Sequence, residues 1–343
     1  MRSSDPLPGA HEALRLLQKE QIPFILLTNG GGKHEIERIA DLSKKLDVQL
    51  DQSSIVQSHT PFADLRHLHD KTVLVVGGEY DKCQDVAHKY GFKNVVTPGD
   101  IITAHPEIWP FSSVFADYYK KFARPLPCPI NPKDPPNSLK IDAIFVYNDP
   151  RDWGLDTTII LDTLMSSQGV LGTLSPKNNN PELPNRGFLQ DGQPPLYFSN
   201  ADLWWAAKYH LPRLGQGGYR ESLQGVWAAV TGGERMGVEL KKTVIGKPFK
   251  DTYDFAEKRL RQNRDVMTGG ESQVALKKVY MVGDNPESDI RGGNTHKSAF
   301  GSEWLSILVR TGVYDGGEPS WKPRVTVDGV YEAVQWAIED SKS

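Results

Sequence analysis

The sequence of 343 residues is poor in cysteine and has no long apolar run. Its only two cysteines, Cys83 and Cys128, cannot form a disulfide framework or a four-thiolate zinc site. This scarcity favours a reducing compartment over secretion, and both residues are interpreted as ordinary free thiols. The longest apolar runs, such as residues 22–27 and 73–76, are far shorter than the roughly 18 to 20 residues that cross a bilayer. We therefore expect no membrane-spanning segment.

An excess of positive charge is also missing. The chain carries 40 Lys and Arg against 43 Asp and Glu, a formal net charge of −3. Such a chain has no strong cationic field to attract nucleic acid or anionic lipid, so a dedicated nucleic-acid role is disfavoured. Residues 1–9 contain neither an apolar signal region nor an Arg-rich amphipathic presequence, and no targeting peptide is visible in the chain as given.

Two common nucleotide-binding signatures are absent. The pair Gly32-Lys33 could end a P-loop, but that motif requires Gly five residues before Gly32 and Ser or Thr after the lysine. Those positions hold Leu27 and His34, which excludes a P-loop here. No Gly-x-Gly-x-x-Gly follows a strand at the start of a β-α-β unit, which disfavours a nicotinamide-dependent oxidoreductase.

Helical and strand-like patterns alternate along the chain. A helical stripe in residues 10–21 precedes the apolar run 24–27, which predicts a buried strand, and a second helical pattern follows in 34–46. Strands alternating with helices predict an α/β fold with parallel sheets covered by helices, whose ligands bind beyond the carboxyl ends of the strands. Further elements are predicted at 73–76, 143–147, 244–245, 251–261, 279–282, 305–309 and 330–340, with a polar insertion at 262–272.

Two polar clusters follow predicted strand ends and suit a phosphoryl-transfer site. In the first, the Thr28 hydroxyl and the backbone N–H groups around Asn29 and Gly30 could hold phosphate oxygens, although an ordinary strand-to-helix turn would look similar. In the second, Lys247 follows the strand 243–245 and could neutralise a transferring phosphoryl group as a compact charge. The alternative for Lys247 is an isolated surface lysine.

A third cluster contains two carboxylates in a tight loop. Asp284 and Asp289 follow the apolar strand that ends at Gly283. Mg²⁺ keeps several waters and takes one or two protein carboxylates, so the pair fits this hard cation. The alternative is that one aspartate caps a helix and the other is solvated.

Together and in this order, the three clusters resemble motifs II, III and IV of the haloacid dehalogenase-like phosphohydrolases. The segments Pro-Leu-Pro-Gly-Ala at 6–10, Leu-Thr-Asn-Gly-Gly-Gly-Lys at 27–33 and Gln-Ser-His-Thr-Pro-Phe at 57–62 look like the cat-eye-syndrome-critical-region five-like members, which are largely mitochondrial. The resemblance implies a Rossmann-like core at 1–78 and 240–343 and an inserted α/β cap of the C2 type, subfamily IIA, at 79–239. It also implies a mitochondrial location, with the cytoplasm as the alternative.

The resemblance also implies roles for individual residues. Thr28 would bind a phosphoryl oxygen and Lys247 would steady the nucleophile and the phosphate, while Asp284 and Asp289 would hold Mg²⁺. The substrate would be a phosphorylated small molecule, contacted by the loop after the first strand and by a cap loop. We expect these groups to converge on one pocket. The substrate-contacting candidates are Asn29 and Gly30 in the first loop and Asn200 and Asp202 in the cap, with residues 149–153 as a second cap candidate that could equally be an ordinary turn.

One departure from the family pattern is large. Motif I of the family is a hydrophobic strand ending in Asp-x-Asp-Gly, which supplies the attacking and acid/base aspartates just before the segment that matches residues 2–4. No apolar strand precedes Asp5 and no second carboxylate lies two positions after it. The chain as given is therefore expected to bind Mg²⁺ weakly and to be inactive as a phosphatase. A missing central strand would also forfeit on the order of 7 to 15 kcal/mol of burial.

Two interpretations of this departure remain. The first is a shortened form of a longer gene product whose full form hydrolyses phosphate monoesters through an aspartyl-phosphate. The second is a non-catalytic pseudoenzyme that binds a phosphorylated ligand or a protein partner.

Overall fold

A computed structural model describes residues 6–205, 207, 209–270, 276–314 and 316–342. The chain is a mixed α/β protein, as predicted. The helices are α1 Ala10–Lys19, α2 Glu35–Leu46, α3 Lys82–Lys89, α4 Pro98–Ala104, α5 Ala116–Lys120, α6 Trp153–Met165, α7 Gln216–Thr231, α8 Lys250–Thr268, α9 Arg291–Thr295 and α10 Val330–Asp340. The strands are β1 Leu26–Leu27, β2 Ile55–Val56, β3 Thr72–Val76, β4 Asn94–Val96, β5 Ala143–Val146, β6 Leu196–Phe198, β7 Trp204–Trp205, β8 Arg213–Leu214, β9 Thr243–Val244, β10 Lys278–Gly283, β11 Glu303–Val309 and β12 Val325–Val327. None of the described helices combines the length and the hydropathy of a membrane-spanning segment.

The largest sheet has five parallel strands in the order β4-β3-β5-β6-β9. Alternate residues of a strand point to opposite faces, so both faces of β3 must be covered. Leu74 and Val76 pack with α4, α6 and α7 on one face, whereas Val73 and Val75 pack with α3 on the other. The strand order reverses between β3 and β5, which makes this a doubly wound sheet.

The remaining parallel strands form two smaller sheets, β1-β2 and β10-β11-β12. Helices α1 and α2 cover the first with a cluster around Leu14, Ile39 and Leu42, and α10 covers the second through Ala333. Helix α1 contacts α10, but within the described residues no strand pairing joins β1 to β10. We call the space between these two strands the β1–β10 gap.

The gap accounts for one difference from expectation. Residues 24–27 were predicted to form a buried strand, but only Leu26 and Leu27 are in a strand and their side chains are half-buried. A strand with a partner on one side only leaves its other edge, and the side chains along it, less covered. The sequence pattern identified the strand correctly and overestimated its burial.

One further element differs from the predictions. Residues 262–268, predicted as part of a polar insertion, continue α8 to Thr268, while 271 and 272 lie outside the described residues. Gln262, Arg264 and Met267 favour a helix even without an apolar stripe, and Gly269 ends the helix in the left-handed conformation, at φ 76°.

Strands β3 and β9 pair with β4, β5 and β6 in the five-stranded sheet. The division into a core at 1–78 and 240–343 and a cap at 79–239 remains a prediction.

A buried polar network links the first part of the chain to the five-stranded sheet. The His59 ring is 0% exposed, its Nε2 accepts the Gly32 N–H at 3.1 Å, and its Nδ1 lies 2.8 Å from the Tyr90 hydroxyl. Tyr90 in turn donates to Glu35 Oε1 at 2.5 Å, as does the Thr60 hydroxyl. Burial lowers the pKa of His59 to about 4. The neutral ring can therefore accept at Nε2 while donating from Nδ1, and it fixes the loop after β1.

This network predicts acid lability. The pKa of His59 is about 4 in the folded chain and 6.5 unperturbed, so the unfolded chain takes up a proton first as the pH falls. We expect stability to be full above pH 6.5 and to decrease by about 3 kcal/mol by pH 4 through this residue. Urea unfolding between pH 4 and 8 measures the slope.

The matched variants are His59→Gln and His67→Gln, the second at an exposed histidine. His59→Gln should lower stability at pH 7 by roughly 1 to 3 kcal/mol and flatten the pH dependence, because glutamine does not titrate. His67→Gln should keep the slope of the parent chain. An unchanged slope in His59→Gln would show that the network does not control acid stability.

Candidate functional site

The loop after β1 presents the first predicted cluster. Thr28 Oγ1 accepts the Gly30 N–H at 3.0 Å, which leaves the hydroxyl hydrogen available to a ligand. Gly31 lies so close to His59 that a Cβ there would be 2.7 Å from the ring Cδ2, and Gly32 has φ 86°. The loop therefore requires glycine at both positions, and it exposes backbone at Gly30.

Lys247 connects three elements that are far apart in sequence. Its Nζ donates to Asp289 Oδ1 at 2.5 Å, in the turn after β10, and to Leu27 O at 3.3 Å, at the end of β1. The residue itself follows β9 and is 9% exposed. The preceding residue has to be glycine: Gly246 has φ 91°, and a Cβ at this position would lie only 2.7 Å from Ser199 O. The ammonium group thus lies at one end of the β1–β10 gap.

Asn29 was predicted to contact substrate, and in the structure it holds the backbone of Lys247. Its Oδ1 accepts the Lys247 N–H at 2.7 Å, and its Nδ2 donates to Lys247 O at 3.0 Å. The same Nδ2 donates to Asp202 Oδ1 at 3.0 Å. A side chain bonded on both sides of one peptide group fixes the direction in which the lysine leaves the backbone.

The two cap candidates approach the same loop. Asn200 Nδ2 donates to Asn29 O at 3.2 Å, and Asn200 Oδ1 accepts the Asp202 N–H. Burial raises the pKa of Asp202, although the bond from Asn29 and the charge of Lys247 oppose this. Residues 149–153, the second candidate, lie at the carboxyl end of β5, where Asp149 O accepts the Gly78 N–H. Asn200 and Asp202 therefore touch the predicted phosphate loop through Asn29.

The carboxylate pair follows β10, with Asp284 in the loop and Asp289 in the π-helical turn Pro286–Ile290. Asp289 is 3% exposed, and its Oδ2 accepts the Asn285 N–H at 3.1 Å. Gly283 is required beside it, because a Cβ there would be 2.2 Å from Asp289 Oδ2. Asp284 is half-buried, and its Oδ2 accepts the Val313 N–H at 2.6 Å. The structure thus brings Asp289 onto Lys247 and keeps Asp284 in the loop before it.

These carboxylates fit a weakly held Mg²⁺. Each has a backbone N–H that orients one oxygen, and carboxylate oxygens are the donors that this ion prefers. Among the described residues, however, no group of three His, Cys, Asp or Glu side chains is placed to hold a metal. Asp289 also has to share its Oδ1 with the Lys247 ammonium. Most ligands of an ion at Asp284 and Asp289 would therefore be water.

Residues that support the cap loop were not predicted from the sequence. Gln216 Oε1 accepts the Asn200 N–H at 2.8 Å, and Gln216 Nε2 donates to Ser199 Oγ at 3.1 Å. Ser199 also lies within 3.4 Å of Ser58 Oγ. In the sequence, residues 57–62 were used to identify the family resemblance, but no role was assigned to them or to Ser199 and Gln216.

Comparisons with known proteins agree with this geometry. Residues 1–93 match the family described as haloacid dehalogenase-like hydrolase, and residues 244–333 match one described as HAD-hydrolase-like. In solved structures, the fold is similar to a p-nitrophenyl phosphatase from Archaeoglobus fulgidus, with a TM-score of 0.58 and 15% identity, covering 97% of this chain and 93% of that one. A hypothetical protein from Pyrococcus horikoshii OT3 gives a TM-score of 0.57 at 18% identity, covering 98% and 95%.

Two curated relatives are more similar in sequence. A cardiolipin synthase (CMP-forming) / mitochondrial hydrolase fusion protein of Schizosaccharomyces pombe is 40% identical over 340 residues, which are 98% of this chain and 51% of that protein. This chain thus spans about half the length of the fusion protein. A mitochondrial hydrolase of Saccharomyces cerevisiae is 37% identical over 356 residues, covering 98% of this chain and 92% of the relative. With this identity over nearly the whole of the yeast hydrolase, the chain belongs to the haloacid dehalogenase-like hydrolases.

Proposed function

We propose that this site serves the Mg²⁺-dependent hydrolysis of a phosphate monoester, for which the chain supplies the groups that bind and neutralise the phosphate. The observation that carries the proposal is the position of Lys247 Nζ, between Leu27 O and Asp289 Oδ1 at the end of the β1–β10 gap. A cation fixed there can stabilise the charge of a phosphoryl group bound at the neighbouring loop.

Each group has a part in this proposal. The Thr28 hydroxyl donates to a phosphate oxygen, and the Gly30 backbone lies next to it. Lys247 offsets the negative charge, and its direction is fixed by Asn29. Mg²⁺, held by Asp284 and Asp289 with water, would supply further positive charge to the phosphate oxygens. Asn200 and Asp202 face the substrate side of the loop through their contacts with Asn29.

In this proposal, the attacking carboxylate is the component that the described residues do not supply at the end of β1. Residues 1–27 contain one aspartate, Asp5, which lies outside the described residues. Among the described residues, no strand occupies the β1–β10 gap. We propose that a strand carrying an aspartate in this gap completes the enzyme, and that residues 1–343 alone bind phosphate without turnover. The substrate would be a phosphorylated small molecule.

The second candidate is a module that binds a phosphorylated ligand or partner without hydrolysing it. It is supported by the same observation, because Thr28 and Lys247 are positioned although no strand of the described residues occupies the β1–β10 gap to carry a nucleophile. For either function we propose a mitochondrial location, which the names of the two curated relatives support.

The first prediction from this proposal concerns the 343-residue chain. It should not hydrolyse p-nitrophenyl phosphate with Mg²⁺ above background, because no covalent intermediate can form without the carboxylate. It should nevertheless bind inorganic phosphate, measured by isothermal titration calorimetry. Lys247→Gln should weaken this binding at least about tenfold, since a charge-assisted contact is lost.

Lys250→Ala is the matched control, because Lys250 is exposed and, among the described residues, its ion-pair partner is its helix neighbour Asp254. It should bind phosphate like the parent chain. Since Lys247→Gln leaves Asp289 buried without its partner, thermal melting checks that the variant is folded. Turnover that is lost in Lys247→Gln would contradict the missing-nucleophile proposal, and equal phosphate binding in both variants would contradict the assigned role of Lys247.

The second prediction concerns the β1–β10 gap. Adding a hydrophobic strand followed by Asp-Ile-Asp-Gly-Val ahead of Met1 should raise the melting temperature and the Mg²⁺ affinity and should create turnover. The strand would bury apolar surface worth roughly 7 to 15 kcal/mol before its ordering entropy is subtracted. Its carboxylate would add a third acidic ligand beside Asp284 and Asp289.

A second extended chain with both new aspartates changed to Asn separates the two effects. It should keep most of the thermal gain and lose both the metal response and the turnover. If the extended chain melts no higher than residues 1–343, the gap does not accept a strand, and the binding module becomes the better description.

A further inference from the structure

A cleft lies at the carboxyl edge of the five-stranded sheet, between β3 and β5. Gly77 and Gly78 follow β3 and line it, as do Arg151 and Asp152 after β5. The strand order reverses here, and doubly wound sheets bind ligands at such a point. Gly77 has φ 93°, and a Cβ there would be 1.9 Å from Asn148 O, so this position requires glycine and lines the cleft with backbone atoms alone. None of the residues that bond Lys247 lines this cleft.

Two buried acceptors in the cleft wall have no hydrogen-bond donor within the described part of the chain. Gln84 is 1% exposed, and its Oε1 is unpartnered, while its Nε2 donates to Val95 O and Asp100 Oδ2. Those two bonds fix the orientation of the amide, so the free atom is the oxygen. Asp156 is 6% exposed and no described residue donates to its carboxylate, but its oxygens, unlike Gln84 Oε1, keep some contact with solvent. A buried acceptor without a donor is costly, which points to a ligand with N–H or O–H groups.

Aromatic rings form another wall of the cleft. The centroids of Tyr80 and Phe122 are 4.4 Å apart, and those of Tyr80 and Tyr118 are 5.4 Å apart. Tyr80 is 50% exposed and has φ 57°, a left-handed conformation that is unfavourable for a tyrosine. The Tyr118 hydroxyl accepts its N–H at 3.0 Å and holds it there. Strained residues of this kind cluster at ligand sites, and the exposed rings offer apolar surface to a ligand. The Lys82 ammonium already lies over the Tyr80 ring, 5.7 Å from its centroid.

The charges around the cleft favour a cationic ligand. Burial, reinforced by the negative charge of Asp152, raises the pKa of Asp156 well above its usual value. A bound cation would offset both effects and restore the charged carboxylate. The guanidinium of Arg151 is already bonded to Asp149 O at 2.7 Å, and Asp152 accepts from the Tyr119 hydroxyl at 3.1 Å.

We propose that this cleft is a second ligand site, which binds an organic ammonium group through the Asp156 carboxylate and Gln84 Oε1, with its carbon part against Tyr80 and Tyr118. The site is independent of phosphate binding at Lys247. Its ligand needs both a positive charge and N–H donors, because the Asp156 carboxylate recognises the charge and the two acceptor groups recognise the hydrogens, while the rings contact the carbon part.

Three probes of similar size test this chemistry by calorimetry on the 343-residue chain. Benzylammonium has the charge and the donors, benzyltrimethylammonium has the charge alone, and benzyl alcohol has a donor without charge. We expect benzylammonium to bind at least about tenfold more tightly than the other two. Equal binding of benzyl alcohol would overturn the proposal in favour of a neutral hydroxyl ligand, and equal binding of benzyltrimethylammonium would exclude a role for the acceptors.

Asp156→Asn is the diagnostic variant, and Asp162→Asn on the same helix is its control. Burial raises the pKa of Asp162 as well, but Asp162 is not among the residues that line the cleft. Asp156→Asn should reduce benzylammonium affinity about tenfold and should melt no lower than the parent chain, because it removes a poorly solvated carboxyl without breaking a bond. Asp162→Asn should bind normally. A clear fall in melting temperature with unchanged affinity in Asp156→Asn would show a structural role and overturn the site.

Discussion

The ion pair between Lys247 and Asp289 is the interaction on which the proposed phosphate site depends. It is nearly buried, it joins the end of β9 to the turn after β10, and its ammonium also reaches Leu27 O at the end of β1. Removing one partner of such a pair leaves a buried charge, at a typical cost of about 3 to 5 kcal/mol. Asn29 adds direction by bonding both sides of the Lys247 backbone. The ends of β1, β9 and β10 are therefore connected by the Lys247 side chain, whose backbone is held by Asn29.

Under the proposed function, the β1–β10 gap would link the stability of the chain to its chemistry. Leu26 and Leu27 are half-buried beside it, and among the described residues no third acidic side chain joins Asp284 and Asp289 in a metal-binding group. A single inserted strand would change the burial, the metal ligands and the nucleophile together. The ion pair bridges the gap at one end only, which positions the phosphate-binding groups but does not replace the hydrogen bonds of a strand.

The five-stranded sheet has a complete core on both faces, and it meets the phosphate loop at defined points. His59 bonds Gly32 on one side and Tyr90 on the other, so the loop after β1 is fixed from the inserted segment. Asn200 and Asp202 reach Asn29 from the same direction. Residues 79–239 therefore contact the first part of the chain through these hydrogen bonds and through ring contacts such as His34–Tyr90 and Phe62–Phe145.

The sequence determined the types of element, because apolar runs and helical stripes are local properties. Strands β3, β5, β10 and β11 and helices α1, α2 and α10 are present where the patterns predicted them. The order of three polar clusters after strand ends also sufficed to indicate the family. The prediction was wrong at residues 262–268, which are helical although they lack an apolar stripe and were therefore assigned to a polar insertion.

Only the tertiary structure decided which strands share a sheet and which polar groups meet. The pattern in residues 24–27 could not reveal that β1 lacks a partner on one side, because pairing depends on strands far along the chain. The roles of Asn29 and His59 depend on partners 218 and 31 positions away, and Gln84 and Asp156 come to one cleft from different helices. Hydrogen-bond partners of a buried polar side chain are set by the packing of whole elements, and a single sequence carries no local signal for them.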